Sequence, residues 1–230
     1  MRSWNELPEK MQNDEVRYYY DILSKKEKAL KAKRFFDFSL AMVLSILLLP
    51  IMVIIAIMIK ADSKGPVFYR QVRVTAWGRK FKIYKFRTMV QNADKIGSQI
   101  TSREDVRITK VGKLIRKVRL DEIPQLFNVL AGDMSFVGTR PEVPKYVVHY
   151  DNRMLATLLM PAGITSRASI EFKDEDVLLA GEEDIDEAYI RKVLPAKMAY
   201  NLKELECFSL LRDLYTMILT VFAVLRKQEQ

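Results

Sequence analysis

The chain has 230 residues, 49% of them hydrophobic, a length that suits one medium domain with appendages and excludes two large domains. A single cysteine, Cys207, excludes an internal disulfide framework and any multi-thiolate metal site, and a single histidine, His149, excludes a His-rich metal centre and argues against a Ser-His-Asp system. With 38 Lys/Arg against 29 Asp/Glu the net charge is +9, which points to an anionic partner and leaves the chemistry to carboxylates, arginines and lysines.

In chain order, residues 1–34 read as an amphipathic helical region ending in a basic cluster, Lys25, Lys26, Lys28, Lys31, Lys33 and Arg34. No short apolar core with a small-residue cleavage site lies near the start, so a secretory signal is not expected there. Trp4 and the Tyr18-Tyr19-Tyr20 run suit either a headgroup layer or simple packing. Phe38 to Ile59 follow as 22 residues without a charge. A membrane helix needs about 20 apolar residues, and this one would run about 33 Å if straight. Pro50 near its middle removes a backbone hydrogen bond and opposes the preceding turn.

The flanks of that segment are basic on both sides, with Lys60, Lys64, Arg70 and Arg73 following it. Lys and Arg accumulate on the cytoplasmic side of short loops. A helix-break-helix that enters and leaves by one leaflet keeps both clusters on that side. An ordinary spanning helix kinked at proline is the competing reading, since proline is common in such helices.

Beyond Gly65-Pro66, the stretches Val67 to Val74 and Lys80 to Met89 are rich in β-branched and aromatic residues and flank Trp77-Gly78, which predicts a hairpin. From Thr109 onward Val111, Leu114, Ile115 and Val118 recur at helical spacing. A second helix is expected to begin around Asp121 to Pro124 and to stop at Gly132, and a last one covers Leu210 to Leu225. Charge is uneven along the way: Lys60 to Leu120 hold 17 Lys/Arg against 4 Asp/Glu, whereas Glu171 to Glu187 hold 9 acids and one lysine. The acidic run reads as a solvated loop or helix, and His149 and Cys207 as structural.

The chemistry concentrates in Arg119-Leu120-Asp121-Glu122-Ile123-Pro124-Gln125-Leu126. Free N–H groups and the dipole at a helix start favour anions, including phosphates. Two acids there could hold Mg²⁺ and share it with substrate phosphates, or one could act as a nucleophile that forms an acyl phosphate. Taken alone, the motif favours a purely structural role, with Asp121 as an N-cap worth about 1 kcal/mol and Glu122 as a first-turn acid. Downstream, Gly138-Thr139-Arg140-Pro141 frames an arginine whose planar fork suits phosphate. Upstream lies Arg116, and in Lys82 to Met89 a strand would show Lys85 and Arg87 on one side.

Lys33-Arg34-Phe35-Phe36-Asp37, the Pro50 segment, Ser63 to Phe68, Lys82 to Met89, Leu120 to Val129 and Gly132 to Pro141 occur here in order. Together they resemble the bacterial sugar transferase family, the monotopic phosphoglycosyl transferases. The resemblance covers roughly Lys33 to Arg167 and extends to the C-terminal helix. It implies a mixed α/β, mostly helical monotopic membrane protein with a re-entrant helix-break-helix, interfacial amphipathic helices and a few short strands. Residues 1–34 would form the N-terminal region, 35–60 the re-entrant helix, and 61–230 a catalytic domain on the cytoplasmic face of the bacterial inner membrane.

The resemblance further implies transfer of a sugar 1-phosphate from a UDP-sugar to polyprenyl (undecaprenyl) phosphate with release of UMP, as the first membrane step of capsule, exopolysaccharide or other glycoconjugate assembly. Asp121 would be the nucleophile of a covalent aspartyl-phosphosugar, Glu122 would hold Mg²⁺ with Asp121, and Arg116, Arg140, Lys85 and Arg87 would bind phosphates. Anionic lipids and a second copy of the chain are further expected partners, and nucleic acid is not. Three positions depart from the usual pattern: Leu49 replaces a serine before the helix-breaking proline, Thr139 replaces a proline, and Pro161-Ala162-Gly163-Ile164-Thr165-Ser166-Arg167 is altered at its end. The contrasting expectation is a non-catalytic membrane adaptor, for which Asp121, Glu122 and Mg²⁺ would be dispensable.

Overall fold

Asn13 opens the first helix, α1 (Asp14–Ser24), by accepting a hydrogen bond from the Val16 N–H, which satisfies one of the free donors at a helix start. The computed structural model describes residues 1–91, 93, 105–172, 178–179, 181–182 and 184–226. Val16, Tyr19 and Leu23 on one face of α1 pack with Ala156, Leu159, Leu202 and Leu205, so the N-terminal region is built into the domain.

The second helix, α2, runs from Glu27 to Asp62, 36 residues with Pro50 inside. It begins before the expected boundary at residue 34, so the basic cluster and the apolar stretch share one helix. The helical path is uninterrupted at Pro50, where separate half-helices were expected; the other backbone bonds carry it through. One face packs on the domain at Lys33, Asp37, Ala41, Met52, Ile55 and Ile59. The opposite face exposes Val43, Ile46, Leu47, Leu49, Val53, Ile54 and Ile57. Its most apolar window has a mean hydropathy of 3.1 with 17% of that window buried, enough in length and composition to enter a membrane. An apolar row of this size is not left to water in a soluble monomer.

Both ends of α2 are fastened to the same domain. Near the start, Arg34 donates to the carbonyls of Val129 and Leu130 at 2.6 and 3.1 Å. Lys33 meets Asp213 at 2.6 Å, while Asp37 accepts from the Ser135 hydroxyl at 2.7 Å. At the far end, Asp62 accepts from the Val111 N–H, and Arg87 donates to the Ser63 carbonyl and hydroxyl.

The predicted hairpin forms as β1 (Phe68–Val74) and β2 (Lys80–Phe86), antiparallel with Phe68 opposite Phe86. Its tight connection uses Trp77 and Gly78, both at positive φ. Helix α3 (Lys110–Lys117) is capped by Thr109, and α4 (Gln125–Ala131) ends on Gly132 in the left-handed conformation, a glycine stop. Asn128 of α4 accepts from the Tyr84 N–H and donates to the Lys82 carbonyl, fixing β2 against α4.

A parallel pair, β3 (Met134–Val137) with β4 (Ala162–Thr165), was not foreseen from sequence. Short helices α5 (Pro144–Val147), α6 (Arg167–Glu171) and α7 (Ile185–Ala188) lead to α8 (Leu194–Glu206) and the amphipathic α9 (Leu210–Arg226). The architecture is thus mostly helical with few short strands, as expected. The acidic run lies partly outside the described residues; within them Asp186 pairs with Lys145 and Tyr146.

Candidate active site

Asp121 and Glu122 sit in a 3₁₀ turn, Leu120–Glu122, and not at the first position of α4. Pro124 takes the helix N-cap place, so the structural reading of Asp121 as that cap does not hold. Arg119, just before the turn, adopts φ 58°, a left-handed conformation that is uncommon for a residue with a side chain. Such backbone strain persists where surrounding packing fixes it and concentrates at functional sites. Here it accompanies the reversal of the chain after α3, and the turn brings the Glu122 carboxylate to Lys85 of β2 and to Arg140.

Glu122 is the centre of an ionic cluster. Its Oε1 accepts from Arg140 Nη2 at 2.5 Å and from Lys85 Nζ at 2.8 Å, with Arg119 Nη1 at 3.9 Å. Lys85 reaches it because Phe81, Ile83 and Lys85 alternate onto the inward face of β2; the first two are core residues. Arg140 arrives from the segment after β3. Gly138 donates to the Thr165 carbonyl and Gly163 to the Thr139 carbonyl, while Arg140 itself donates to the Ile164 carbonyl at 3.1 Å. The two glycines make this approach feasible, since a Cβ on Gly163 would stand 2.2 Å from the Gly138 nitrogen.

The two acids are driven apart electrostatically. Burial opposes ionisation of Glu122, but Arg140 and Lys85 outweigh it and hold the carboxyl well below the usual range. Asp121 is raised, by burial first and by the Glu122 charge second, against the pull of Lys85, Arg116 and Arg119. Burial also pushes Lys85 down, with Glu122 opposing. A pair whose environments separate its two carboxyls in this way is the pattern of one spectator charge and one reactive group.

Of the residues singled out from sequence, Asp121, Glu122, Lys85 and Arg140 come together, and Arg116 lies within electrostatic reach of Asp121. Arg87 does not join them. The β1–β2 ladder ends at Phe86, and the buried Arg87 side chain turns to Ser63 at the end of α2. Gly65 makes room for it, for a Cβ there would lie 2.1 Å from Arg87 Nη1. Sequence reasoning passed over Arg119, whose only signal is the conformation itself. It also passed over the Lys33–Asp37–Asp213 cluster, signalled by charges inside otherwise apolar helices.

A cavity of about 290 Å³ opens beside the ionic cluster. Lys117, Arg119, Glu122 and Arg140 line one part of it, and Leu126, Phe136, Ile164 and Ile170 with residues of α2 and α9 line the rest. A site that joins cations to an apolar slot accommodates an amphiphilic anion.

Mg²⁺ takes oxygen ligands and is usually held by one or two carboxylates plus substrate phosphates. Asp121 and Glu122 provide that number. Glu122 Oε1 is taken by Arg140 and Lys85, whereas among the described residues Oε2 has a 3.5 Å contact to Arg140 Nη1. The pair fits a metal shared with a phosphorylated substrate, and among the described residues no cluster of three or more His, Cys, Asp or Glu side chains forms a protein cage.

Comparison with known proteins gives the family. The family model described as bacterial sugar transferase matches residues 28–227. The chain belongs to that family. Over 122 residues it is 47% identical to the UDP-N-acetylgalactosamine-undecaprenyl-phosphate N-acetylgalactosaminephosphotransferase of Aeromonas hydrophila, covering 53% of this chain and 29% of the relative. It is 37% identical over 195 residues to the UDP-glucose:undecaprenyl-phosphate glucose-1-phosphate transferase of Klebsiella pneumoniae, covering 83% of this chain and 39% of the relative. For the transferase of the same name from Caulobacter vibrioides the figures are 33% over 196 residues, 84% and 69%. The chain thus spans well under half the length of the first two relatives. As a bacterial sugar transferase family member it carries the ionic cluster and the cavity wholly inside the matched region.

Proposed function

We propose that this protein transfers a sugar 1-phosphate from a UDP-sugar to a polyprenyl phosphate at a membrane surface, in two displacements on Asp121. The observation that carries the reading is an ionised, cation-held Glu122 that lines a partly apolar cavity, directly preceded in the same turn by a desolvated Asp121. The relatives' names supply the substrate classes, and because they differ in the named sugar, the sugar here is left open.

In the first displacement an Asp121 oxygen attacks the sugar-bearing phosphorus. A new P–O bond forms to the carboxylate, the bond to the bridging oxygen breaks, and UMP leaves. In the second, an oxygen of the lipid phosphate attacks the same phosphorus and the aspartyl P–O bond breaks, which frees the carboxylate and gives a polyprenyl diphosphate sugar. Splitting the transfer lets one site serve a water-soluble donor and a lipid acceptor in turn. Arg140, Lys85, Arg119 and Arg116 surround this point with positive charge, preorganised where negative charge gathers. Asp121 and Glu122 would hold Mg²⁺, which supplies additional neutralisation of phosphate charge when bound.

The membrane reading follows from α2. A helix that crossed the bilayer would leave one end about 30 Å from the other across the hydrocarbon, yet both its ends bond to one polar domain. Entry and exit through a single leaflet, with the continuous helix bending at the exposed Pro50, satisfies both attachments and keeps the basic flanks on the cytoplasmic side. In a Cys207→Ser background, single cysteines at positions 28 and 60 should both resist an impermeant thiol reagent applied from the periplasm. Labelling of one position alone would sink re-entry.

The activity is tested with purified protein, a panel of UDP-sugars and undecaprenyl phosphate. UMP and a lipid-linked product are expected with at least one donor, and Asp121→Asn should abolish both while retaining the wild-type melting profile. Near-normal UMP release by that variant would overturn the assignment and favour an adaptor role.

A further inference from the structure

We infer that the C-terminal helix α9 forms one wall of the acceptor subsite, and that Thr220, Ala223 and Val224 determine which lipid chain the enzyme takes. The inference rests on the two-step reading above and deepens it. Leu44 and Leu48 of α2 line the cavity together with those three α9 residues. Leu44 and Leu48 adjoin Val43, Ile46 and Leu47 on the lipid-facing side of α2, while Ala223 and Val224 adjoin the exposed Val221 and Phe222. The slot is therefore continuous with two apolar surfaces that water would not tolerate at this extent. At the other end, Lys117, Arg119 and Arg140 outnumber Glu122, so the bound head must be anionic.

Size narrows the occupant further. At about 290 Å³ the cavity lies at the lower edge of small-molecule sites. It holds the head-proximal part of a long hydrocarbon chain, whose remainder runs out over the exposed faces of α2 and α9 into the bilayer. A free phosphate would leave the apolar walls unused, so a phosphorylated lipid is the occupant that matches both ends.

Helix α9 is fixed on its inner face, where Thr216 is buried and Met217 packs on the core. The Thr165 and Thr220 hydroxyls are hydrogen-bonded at 2.8 Å across the slot wall, with Thr220 also donating to the Thr216 carbonyl, and Asp213 pairs with Lys33 nearer the start of the helix. Ala223 is the smallest of the three α9 side chains that line the slot, one turn beyond the Thr165–Thr220 hydroxyl pair, so a larger side chain there would fill part of it.

The experiment uses the full chain in nanodiscs and compares UMP released in the first turnover on UDP-sugar alone with UMP released under turnover on undecaprenyl phosphate. Ala223→Trp places an indole in the slot, and the ratio of acceptor-dependent to acceptor-independent release should fall at least tenfold, with a raised acceptor KM. A polyprenyl phosphate carrying a photoreactive group on its second isoprene unit should label the peptide 210–226 in the wild type and less in the variant. Should Ala223→Trp not fold, Thr220→Val, which keeps the shape and removes the hydroxyl, is expected to lower the ratio about threefold. A ratio within twofold of wild type in a folded Ala223→Trp, or labelling confined to α2, overturns the inference. Absence of acceptor-independent UMP release from the wild type would instead defeat the two-step reading, and the labelling would still decide the subsite.

Discussion

Replacing Glu122 by glutamine removes the negative centre around which Arg140, Lys85 and Arg119 gather at 2.5, 2.8 and 3.9 Å. Breaking a buried pair by deleting one partner costs about 3–5 kcal/mol because the other charge is left uncompensated. Here the discount is real: the Arg140 and Lys85 side chains keep 29% and 23% exposure, and Arg140 retains the Ile164 carbonyl. A loss of about 2–3 kcal/mol is therefore expected. The same change should strengthen anion binding. Removing one like charge roughly 7 Å from a bound phosphate, at an effective dielectric of about 20, relieves some 2 kcal/mol of repulsion. Denaturant titration of the detergent-solubilised protein and calorimetric titration with UMP read the two effects. Glu122→Gln should unfold at lower denaturant, bind UMP about five- to thirtyfold more tightly, and turn over at least a hundredfold more slowly. A variant of unchanged stability would refute the view that Glu122 gathers these cations, and weaker UMP binding would show that its charge does not oppose a bound phosphate.

Three further outcomes follow from the geometry. Neutral Asp121 cannot attack phosphorus, and its pKa is raised, so the acid limb of donor-dependent UMP release should lie above the ordinary aspartate value of about 3.9. The rate falls as pH drops through that limb. By the same sign, the contribution of Asp121 to stability is fully present below its unfolded pKa and is lost as pH rises through its folded one, so Asp121→Asn should be no less stable than wild type at pH 7. Gly163→Ala forces a Cβ into the Gly138 backbone, and an overpacking loss of about 1–3 kcal/mol with misplacement of Arg140 is expected; a fully active variant of wild-type melting temperature would contradict this. Arg87→Gln should lower stability by about 1–3 kcal/mol through its bonds to Ser63 while leaving donor KM within twofold. A selective rise in donor KM would return Arg87 to the substrate site.

Several features were legible in the chain alone because each rests on local chemistry. The uncharged stretch from Phe38 to Ile59 announces a long apolar helix by length and hydropathy. Trp77-Gly78 between two β-rich runs gives the hairpin, and Thr109 and Gly132 bracket α3 and α4 through capping. The carboxylate pair and Arg140 stood out as residue types suited to phosphate chemistry.

What tertiary structure alone decided was which charges meet. Strand alternation places Lys85 and Arg87 on one side, but the ladder stops at Phe86, and one carries its charge to Glu122 while the other closes the end of α2. The parallel pairing of β3 with β4 joins segments about 28 residues apart, and no local pattern encodes that register. The left-handed Arg119, the convergence of Arg140 on Glu122 and the slot between α2 and α9 all depend on it or on helix packing. Backbone propensity is written residue by residue, whereas an electrostatic site is a sum over distances that exist only once the chain has closed.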